Sequence, residues 1–325
     1  MLPLRKILLS FVEDCVEGIP SDERAQVRKI FRRLPHGVGL EYLLEADKIE
    51  SALIRGELDL SAISCGSLLQ ILRFTRKISF GSIPNKERTF NSFHERQSNL
   101  AYELLDDDVH HCALSAMEII LGSELPTWVP AFKHGPGSVA EGALGLDKSS
   151  VPLPEKLVES SLTQMMDPIN RLRTEPTITR TRVSVVEKDW RGGRVIGMEP
   201  TWNMVLQLGL KDWIEHRTSS WIPYYDQSKQ ERMLTFDAPL RLGTVDLSNA
   251  SDHVSVDLCK AILPSSWFSA LNDVRTTTYK LPDGTIGSTA SMALMGNGFC
   301  FPLLSSVVLS LAMTAMSLAF RQPVT

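Results

Sequence analysis

The stretch that most constrains this chain is "FCFPLLSSVVLSLAMTAMSLAF", Phe299 to Phe320, which carries no charge and is long enough to span a bilayer. Such a run has two homes: a membrane, or the centre of a large soluble domain, where a helix is apolar on all sides because every side is covered. Four serines, Thr314 and Pro302 interrupt it, only Arg321 flanks it as a base, and no aromatic belt marks an interface. The buried core helix is therefore the expected reading, with no membrane partner, and it requires a domain able to surround it. A chain of 325 residues, 43% hydrophobic and 22% charged, has enough material for two or three domains and a substantial core.

The five cysteines, Cys15, Cys65, Cys112, Cys259 and Cys300, form no C-x-x-C pair. An odd, unpatterned set points to a reducing compartment rather than to a disulfide framework or a zinc site. The opening "MLPLRKILLSFVED" has a basic start and a short apolar run, but Glu13 and Asp14 close it without a small-residue cleavage pattern, so it reads as an amphipathic first helix. His110, His111 and Cys112 are consecutive, and neighbours on one short stretch cannot close a tetrahedral metal site by themselves.

Along the chain, residues 1–130 read as mostly helical. "SDERAQVRKIFRRLP" opens with Ser21 as an N-cap and stops at Pro35, and "GSLLQILRFTRKI" has apolar residues at helical spacing. The Gly-, Pro- and Ser-rich "HGPGSVAEGALGLDKSSVPLPEK" (134–156) is a loop or a set of turns and marks a boundary. It is neither a Walker A loop, since no glycine precedes Lys148, nor a dinucleotide fingerprint. "TRTRVSVV" and "GGRVIGM" read as strands, and "EPTWNMVLQLGLKDWIEHR" as a helix with Pro200 in its first turn. "RLGTVDL" reads as a short buried strand ending in Asp246. "SDHVSVDLCKAIL" reads as one helix capped by Ser251, and "TTTYKLPDGTIGST" as a hairpin about Pro282-Asp283-Gly284. A Gly-Asn-Gly loop, 296–298, then feeds the apolar helix.

The net charge of −4 gives no global attraction to nucleic acid, so an anionic partner needs a local basic patch. Between 171 and 194, Arg171, Arg173, Arg180, Arg182, Lys188, Arg191 and Arg194 face only Glu175, Glu187 and Asp189. Taken alone the segment reads as a solvated face. Its neighbours change the weighing. An aspartate at the end of a strand, Asp246, is followed by Asp252, a hairpin and a loop of small residues, with basic residues upstream. Phosphoryl transfer needs these parts: carboxylates for Mg²⁺, cations for the triphosphate, and a backbone that a nucleotide or template can approach closely. Each part alone is weak, and two aspartates six apart recur throughout proteins as surface acids.

Together, "TVDLSNASD", "LPDGT" and "MGNGFCFPL", preceded by "RVIGMEPTWNMVLQLGL" and "HGPGSVAEG", resemble the RNA-dependent RNA polymerases, the replicase catalytic subunits, of levivirus-type positive-strand RNA phages. The resemblance is dense from about 130 to 320. It implies an α+β right-hand polymerase: a largely helical N-terminal region over 1–130, fingers over 131–240, and palm motifs A and B over 241–325 with antiparallel strands. It also implies copying of an RNA template from ribonucleoside triphosphates with Mg²⁺ or Mn²⁺, in the cytoplasm of an infected bacterial host. Family members recruit host translation elongation factors.

By position, the resemblance makes Asp246 the catalytic, metal-binding aspartate of motif A. Asp252 becomes the acid that helps recognise the ribose 2′-hydroxyl, and Asn297 assists it. Lys188, Arg191 and Arg194 match the basic finger element that meets the triphosphate, and Gly296 and Gly298 form the small-residue loop beside template and nucleotide. Two departures stand out. Ala293-Leu294 occupies the place where relatives carry a serine before Met-Gly-Asn-Gly. The Gly-Asp-Asp hairpin of motif C occurs nowhere in these 325 residues, nor does a thumb, so a truncated replicase is expected. One palm aspartate cannot hold two Mg²⁺ ions, and a non-catalytic RNA-binding product is the competing expectation.

Overall fold

The computed structural model describes residues 16–17, 19–32, 40–61, 64–66, 68–69, 72, 85–101, 105–142, 147–166, 174–175, 180–189, 192–226, 228 and 247–321. Asp246 and the rest of "RLGTVDL" except its last residue, Leu247, lie outside these, as do Arg171, Arg173 and Arg191, Pro35 and most of "GSLLQILRFTRKI". Compactness divides the chain into two units: Met1–Lys86 together with Val186–Arg194, and Glu87–Val185 together with Val195–Thr325.

In the first unit, α1 (Ser21–Arg32) and α2 (Leu40–Ile54) contribute to a small core of Val16, Ile19, Val27, Ile30, Ala46, Leu53, Leu68 and Leu72. Ser21 stands inside α1, where the sequence placed it as the cap. The Glu23 carboxylate in the first turn accepts hydrogen bonds from the Ser61 amide (3.1 Å) and hydroxyl (2.8 Å), tying the helix to a later loop.

The second unit begins with α3 (Lys86–Asn99) and α4 (Asp107–Leu121). The acidic run "DDD" is exposed, as its polarity requires, and it also starts α4. Asp106 accepts from the Asp108 amide at 3.0 Å, and Asp107 and Asp108 put negative charge at the positive end of the helix. Strands β1 (Thr181–Asp189) and β2 (Gly192–Met198) follow, of which Val186–Arg194 is counted with the first unit, then α5 (Thr201–Thr218). Pro200 is the cap residue of α5, one position earlier than expected. Glu141, from the Gly-rich loop, accepts from the Thr201 amide at 3.0 Å and from its hydroxyl at 3.1 Å.

The expected single helix over 251–263 is two. Short α6 (Ala250–His253) ends at Val254, and α7 (Val256–Ile262) restarts with Ser255, not Ser251, as its cap, the Ser255 hydroxyl accepting from the Leu258 amide at 3.0 Å. Ser255 favours this break because its side chain replaces the missing helical acceptor. Then come α8 (Ser265–Val274), the hairpin β3 (Thr278–Lys280) and β4 (Ile286–Ser288), and α9 (Cys300–Phe320). The hairpin turns where expected, with Gly284 at φ +94°.

The larger sheet has strand order β2-β1-β3-β4. It is mixed rather than antiparallel throughout. β3 and β4 are antiparallel, but β1 runs parallel to β3 with Thr181 opposite Tyr279 and Arg182 opposite Lys280. The chain has to pass through α5 to α8 between those strands, a long crossover of the kind a parallel pair needs. The main core joins α4, α5, α7, α8 and α9 through Met117, Leu121, Trp202, Leu206, Trp213, Trp267, Phe299 and Leu303, among others.

The apolar helix α9 departs from the expectation of burial on all sides. Its covered face carries small polar residues: Ser310 donates to the Ala113 carbonyl of α4 at 3.0 Å, and Ser306 and Thr314 donate to carbonyls four residues back at 2.8 Å. Hydroxyls that find acceptors in this way are inexpensive to bury and allow close helix approach. Large side chains occupy the other face, with Phe301, Met316 and Phe320 61%, 60% and 69% exposed. By length and apolarity alone, α9 is also long enough to cross a membrane.

Candidate nucleotide site

Asp252 lies in α6, and the structure closes on its carboxylate from an unexpected direction. Arg96, near the end of α3, donates from Nε (3.1 Å) and Nη2 (3.0 Å) to Asp252 Oδ2, with side-chain exposures of only 27% and 12%. The next residue on the helix, Gln97, is buried. Its Nε2 donates to the Ser291 hydroxyl at 2.7 Å, and its Oε1 accepts from the amides of Ala290 (3.0 Å) and Ser291 (3.1 Å). Ser291 in turn donates to the Asp252 backbone carbonyl at 2.7 Å. Two consecutive residues of α3 therefore fix both the side chain of Asp252 and the strand of chain leading to Gly-Asn-Gly.

A second polar cluster surrounds Asn297. Its Nδ2 donates to Glu199 Oε1 at 3.0 Å, and that same oxygen accepts from Thr181 Oγ1 (2.7 Å) and Thr276 Oγ1 (3.0 Å), while the two threonine hydroxyls also pair. Glu199 is 1% exposed and has no hydrogen bond to Oε2 among the described residues, and Asn297 Oδ1 is likewise buried without a partner. Burial pushes the Glu199 carboxyl above its ordinary range, against the lowering effect of the Thr181 and Thr276 hydroxyls. The buried guanidinium of Arg275 donates to the carbonyls of Thr289 (2.5 Å) and Ser291 (3.4 Å). Burial lowers its pKa, which the charge of Glu199 opposes.

The glycines have reasons internal to the fold. Gly296 sits at φ +109°, and a Cβ there would collide with the Gly197 carbonyl oxygen of β2, the strand whose Gly197 amide donates to Met295 at 2.7 Å. A Cβ on Gly298 would meet Gln207 of α5 at 2.9 Å. The loop is small because it packs tightly between β2 and α5, a reason distinct from the approach of RNA expected from the sequence. Ala293 and Leu294, where the family resemblance leads to the expectation of a serine, are buried in the apolar clusters.

Lys188 on β1 and Arg194 on β2 are exposed and belong to the first unit, whereas Asp252, Gly296, Asn297 and Gly298 belong to the second. Arg182 of the same basic segment donates to the Val139 carbonyl at 3.0 Å and holds the Gly-rich loop. His110 contacts the Ala261 carbonyl through Nε2 at 2.7 Å. Among the described residues no group of three or more His, Cys, Asp or Glu is placed to hold a metal, and Asp252 is committed to Arg96. The aspartate to which the family resemblance gives the metal, Asp246, lies outside the described residues.

The motif-bearing part of the chain matches a family. Residues 146–325, just over half of the sequence, fit the family described as RNA replicase, beta-chain. The chain belongs to that family. Among individual replicase relatives, the RNA-directed RNA polymerase subunit beta of Escherichia virus Qbeta is 40% identical over 129 residues, 39% of this chain and 22% of that protein. The corresponding subunit of Enterobacteria phage SP is 34% identical over 149 residues, 45% of this chain and 26% of its own length. The RNA-directed RNA polymerase beta chain of Escherichia phage MS2 is 36% identical over 129 residues, 38% of this chain and 23% of that one. The matched stretches thus span about a quarter of these replicases.

Arg96, Gln97, Glu199, Thr181, Thr276 and Ser291 were missed by sequence reasoning. Only Glu199 carried a local signal, as a lone acid after the apolar "RVIGM"; the others gain their meaning from partners far along the chain.

Proposed function

We propose that this chain is part of a replicase subunit that copies RNA from an RNA template, joining ribonucleotides by a two-Mg²⁺ mechanism. Asp246 is the metal-binding aspartate, Lys188, Arg191 and Arg194 meet the triphosphate, and Asp252 with Asn297 recognises the ribose. Residues 131–240 are its fingers and 241–325 its palm motifs A and B. Its substrates are RNA and ribonucleoside triphosphates, and its setting is the bacterial cytoplasm during phage infection.

The observation that carries this reading is the tie between the two sugar-reading segments. Asp252 and the segment entering Gly-Asn-Gly are locked to each other by Ser291 and to α3 by Arg96 and Gln97, so a hydroxyl acceptor and the loop are pre-positioned together. Asp252 Oδ1 remains to accept from a ribose 2′-hydroxyl while Oδ2 holds Arg96. Asn297 Oδ1 is a spare acceptor, although its burial means that the loop has to open for a sugar to reach it. Mg²⁺, when bound, supplies activation of the attacking hydroxyl and neutralisation of the leaving pyrophosphate.

The test, made on the whole replicase subunit of which this chain is proposed to be part, is Mg²⁺-dependent incorporation of labelled ribonucleotides on an RNA template, with Asp246→Asn abolishing it and Asp252→Ala reducing discrimination against deoxyribonucleotides. Full incorporation by Asp246→Asn would overturn the metal assignment. Salt-sensitive RNA binding with no incorporation by the 325-residue chain would favour the non-catalytic reading, which the lack of a Gly-Asp-Asp string in the sequence motivates.

A further inference from the structure

Outside the candidate site, one concave surface of the second unit combines groups that the replicase motifs do not use. After α4 ends at Gly122, the segment through Trp128 lies across the C-terminal end of α5. The Trp128 carbonyl accepts from Trp213 Nε1 at 3.1 Å. The Trp128 ring meets Trp213 at 6.2 Å between centroids and 85°, and His216 at 5.4 Å and 72°. Beside it is a cavity of about 510 Å³ lined by Leu125, Pro126, Thr127, Trp128, His216 and Arg217.

Two features mark this cavity as built for a ligand. Trp202, Trp213 and Trp267 are sealed in the core, whereas Trp128 and Trp221 are 40% and 41% exposed; of these two, Trp128 lines the cavity and is held in place by its edge contacts and its carbonyl. Arg217 is layered over Gly122, where a Cβ would meet its guanidinium carbon at 3.4 Å, and among the described residues no carboxylate pairs with it. A fixed aromatic ring, an imidazole and a guanidinium without a carboxylate partner among the described residues, in a lining that is about half polar, match the chemistry of an unstacked base with its phosphate. Aromatic rings accept any base face by stacking, and arginine takes the phosphate.

We propose that this cavity binds single-stranded RNA, a base stacking on Trp128 and an adjacent phosphate meeting Arg217. The proposal rests on the reading of the chain as an RNA-handling replicase part, and places a second contact with the strand away from Asp252 and Asn297. Because stacking is indifferent to base identity, the site grips RNA without reading its sequence.

The experiment is fluorescence anisotropy of the 325-residue chain with a labelled short oligouridylate across a salt series, together with ultraviolet crosslinking. Crosslinks are expected on the peptide carrying Trp128. Trp128→Ala is expected to weaken binding about tenfold, and Trp128→Phe, which keeps a ring, much less. Arg217→Gln is expected to reduce the slope of log affinity against log salt by about 0.7. If Trp128→Ala fails to fold, Trp128→Phe, Arg217→Gln and the crosslink map decide. RNA binding with wild-type affinity and slope in all folded variants would overturn the cavity assignment, leave the replicase reading intact and turn attention to a protein occupant. An unmodified chain that binds no single-stranded RNA overturns both.

Discussion

Arg96 of α3 and Asp252 of α6, separated by 156 positions in sequence, form a two-pronged ion pair on a single carboxylate oxygen, 3.0 and 3.1 Å long and largely shielded from water. This places a residue from outside the motif-bearing region in direct contact with the acid that the family resemblance assigns to ribose recognition. It also explains how so short a helix as α6 presents that acid at all: its position is set from outside.

Removing Arg96 leaves Asp252 charged in a site that is mostly desolvated. Arg96→Ala is expected to destabilise the protein by about 1–3 kcal/mol, below the cost at a fully buried pair because both groups keep some exposure. Urea unfolding of Arg96→Ala, Asp252→Ala and the double variant measures the coupling, expected to be about 1–2 kcal/mol. Additive single-variant losses would show that the pair is geometric only.

Gly296 and Gly284 both adopt positive φ, at +109° and +94°, but only the first is enclosed. A Cβ on Gly284 meets nothing within 4 Å, so Gly284→Ala bears the backbone cost alone, about 1 kcal/mol. Gly296→Ala adds collision with the Gly197 carbonyl and is expected to cost about 3 kcal/mol or more. Thermal unfolding of the two variants checks the contrast; equal losses would mean that the loop can move aside without penalty.

Much of the second unit was legible because its signals are local. Pro282-Asp283-Gly284 encodes its own turn, the strands β1 and β2 follow β-branched residues, and α5 begins beside a proline. What was not legible depends on distance or competition. Ser255 outcompetes helix continuation at Val254, and nothing in "SDHVSVDLCKAIL" announces that its hydroxyl takes the Leu258 amide. Gln97 looks like any polar helix residue until Ser291, 194 positions later, is placed beside it. The charge-free α9 misled through its composition, since Ser306, Ser310 and Thr314 read as interruptions yet line the buried face.

Cys259 and Cys300 are both pushed up to about 12, by burial in each case and at Cys300 also by the charge of Asp252. At about pH 8 such a thiol is ionised to roughly one part in ten thousand, and thiolate is the reactive form. Iodoacetamide labelling followed by mass spectrometry is expected to find both almost unmodified in the native protein and fully modified in urea. Native labelling as fast as in urea would contradict the packing around α7 and the start of α9.

Glu199 provides a pH signature of the loop that carries Asn297. Its folded pKa lies above the ordinary value of 4.5, so between 4.5 and the folded pKa the native state holds a proton that the unfolded state has released. Stability from this group is therefore fully present below 4.5 and declines as pH rises through the folded pKa. Burial is the largest cause of the shift, and the hydrogen bonds from Thr181, Thr276, Gln207 and Asn297 oppose it without cancelling it. Glu199→Gln keeps a carbonyl oxygen for Thr181, Thr276 and Asn297 and cannot ionise. It is expected to match the wild type near pH 4 and to become progressively more stable than it toward neutral pH, the difference following one proton. Glu199→Ala instead leaves the buried Asn297 amide and one of the two mutually paired threonine hydroxyls without an acceptor, at about 1–3 kcal/mol each, and is expected to be destabilised at every pH. Chemical denaturation from pH 4 to pH 8 distinguishes these: a Gln variant that loses stability relative to wild type as pH rises would mean that Glu199 is ionised in the fold and that Arg275, rather than burial, sets its charge.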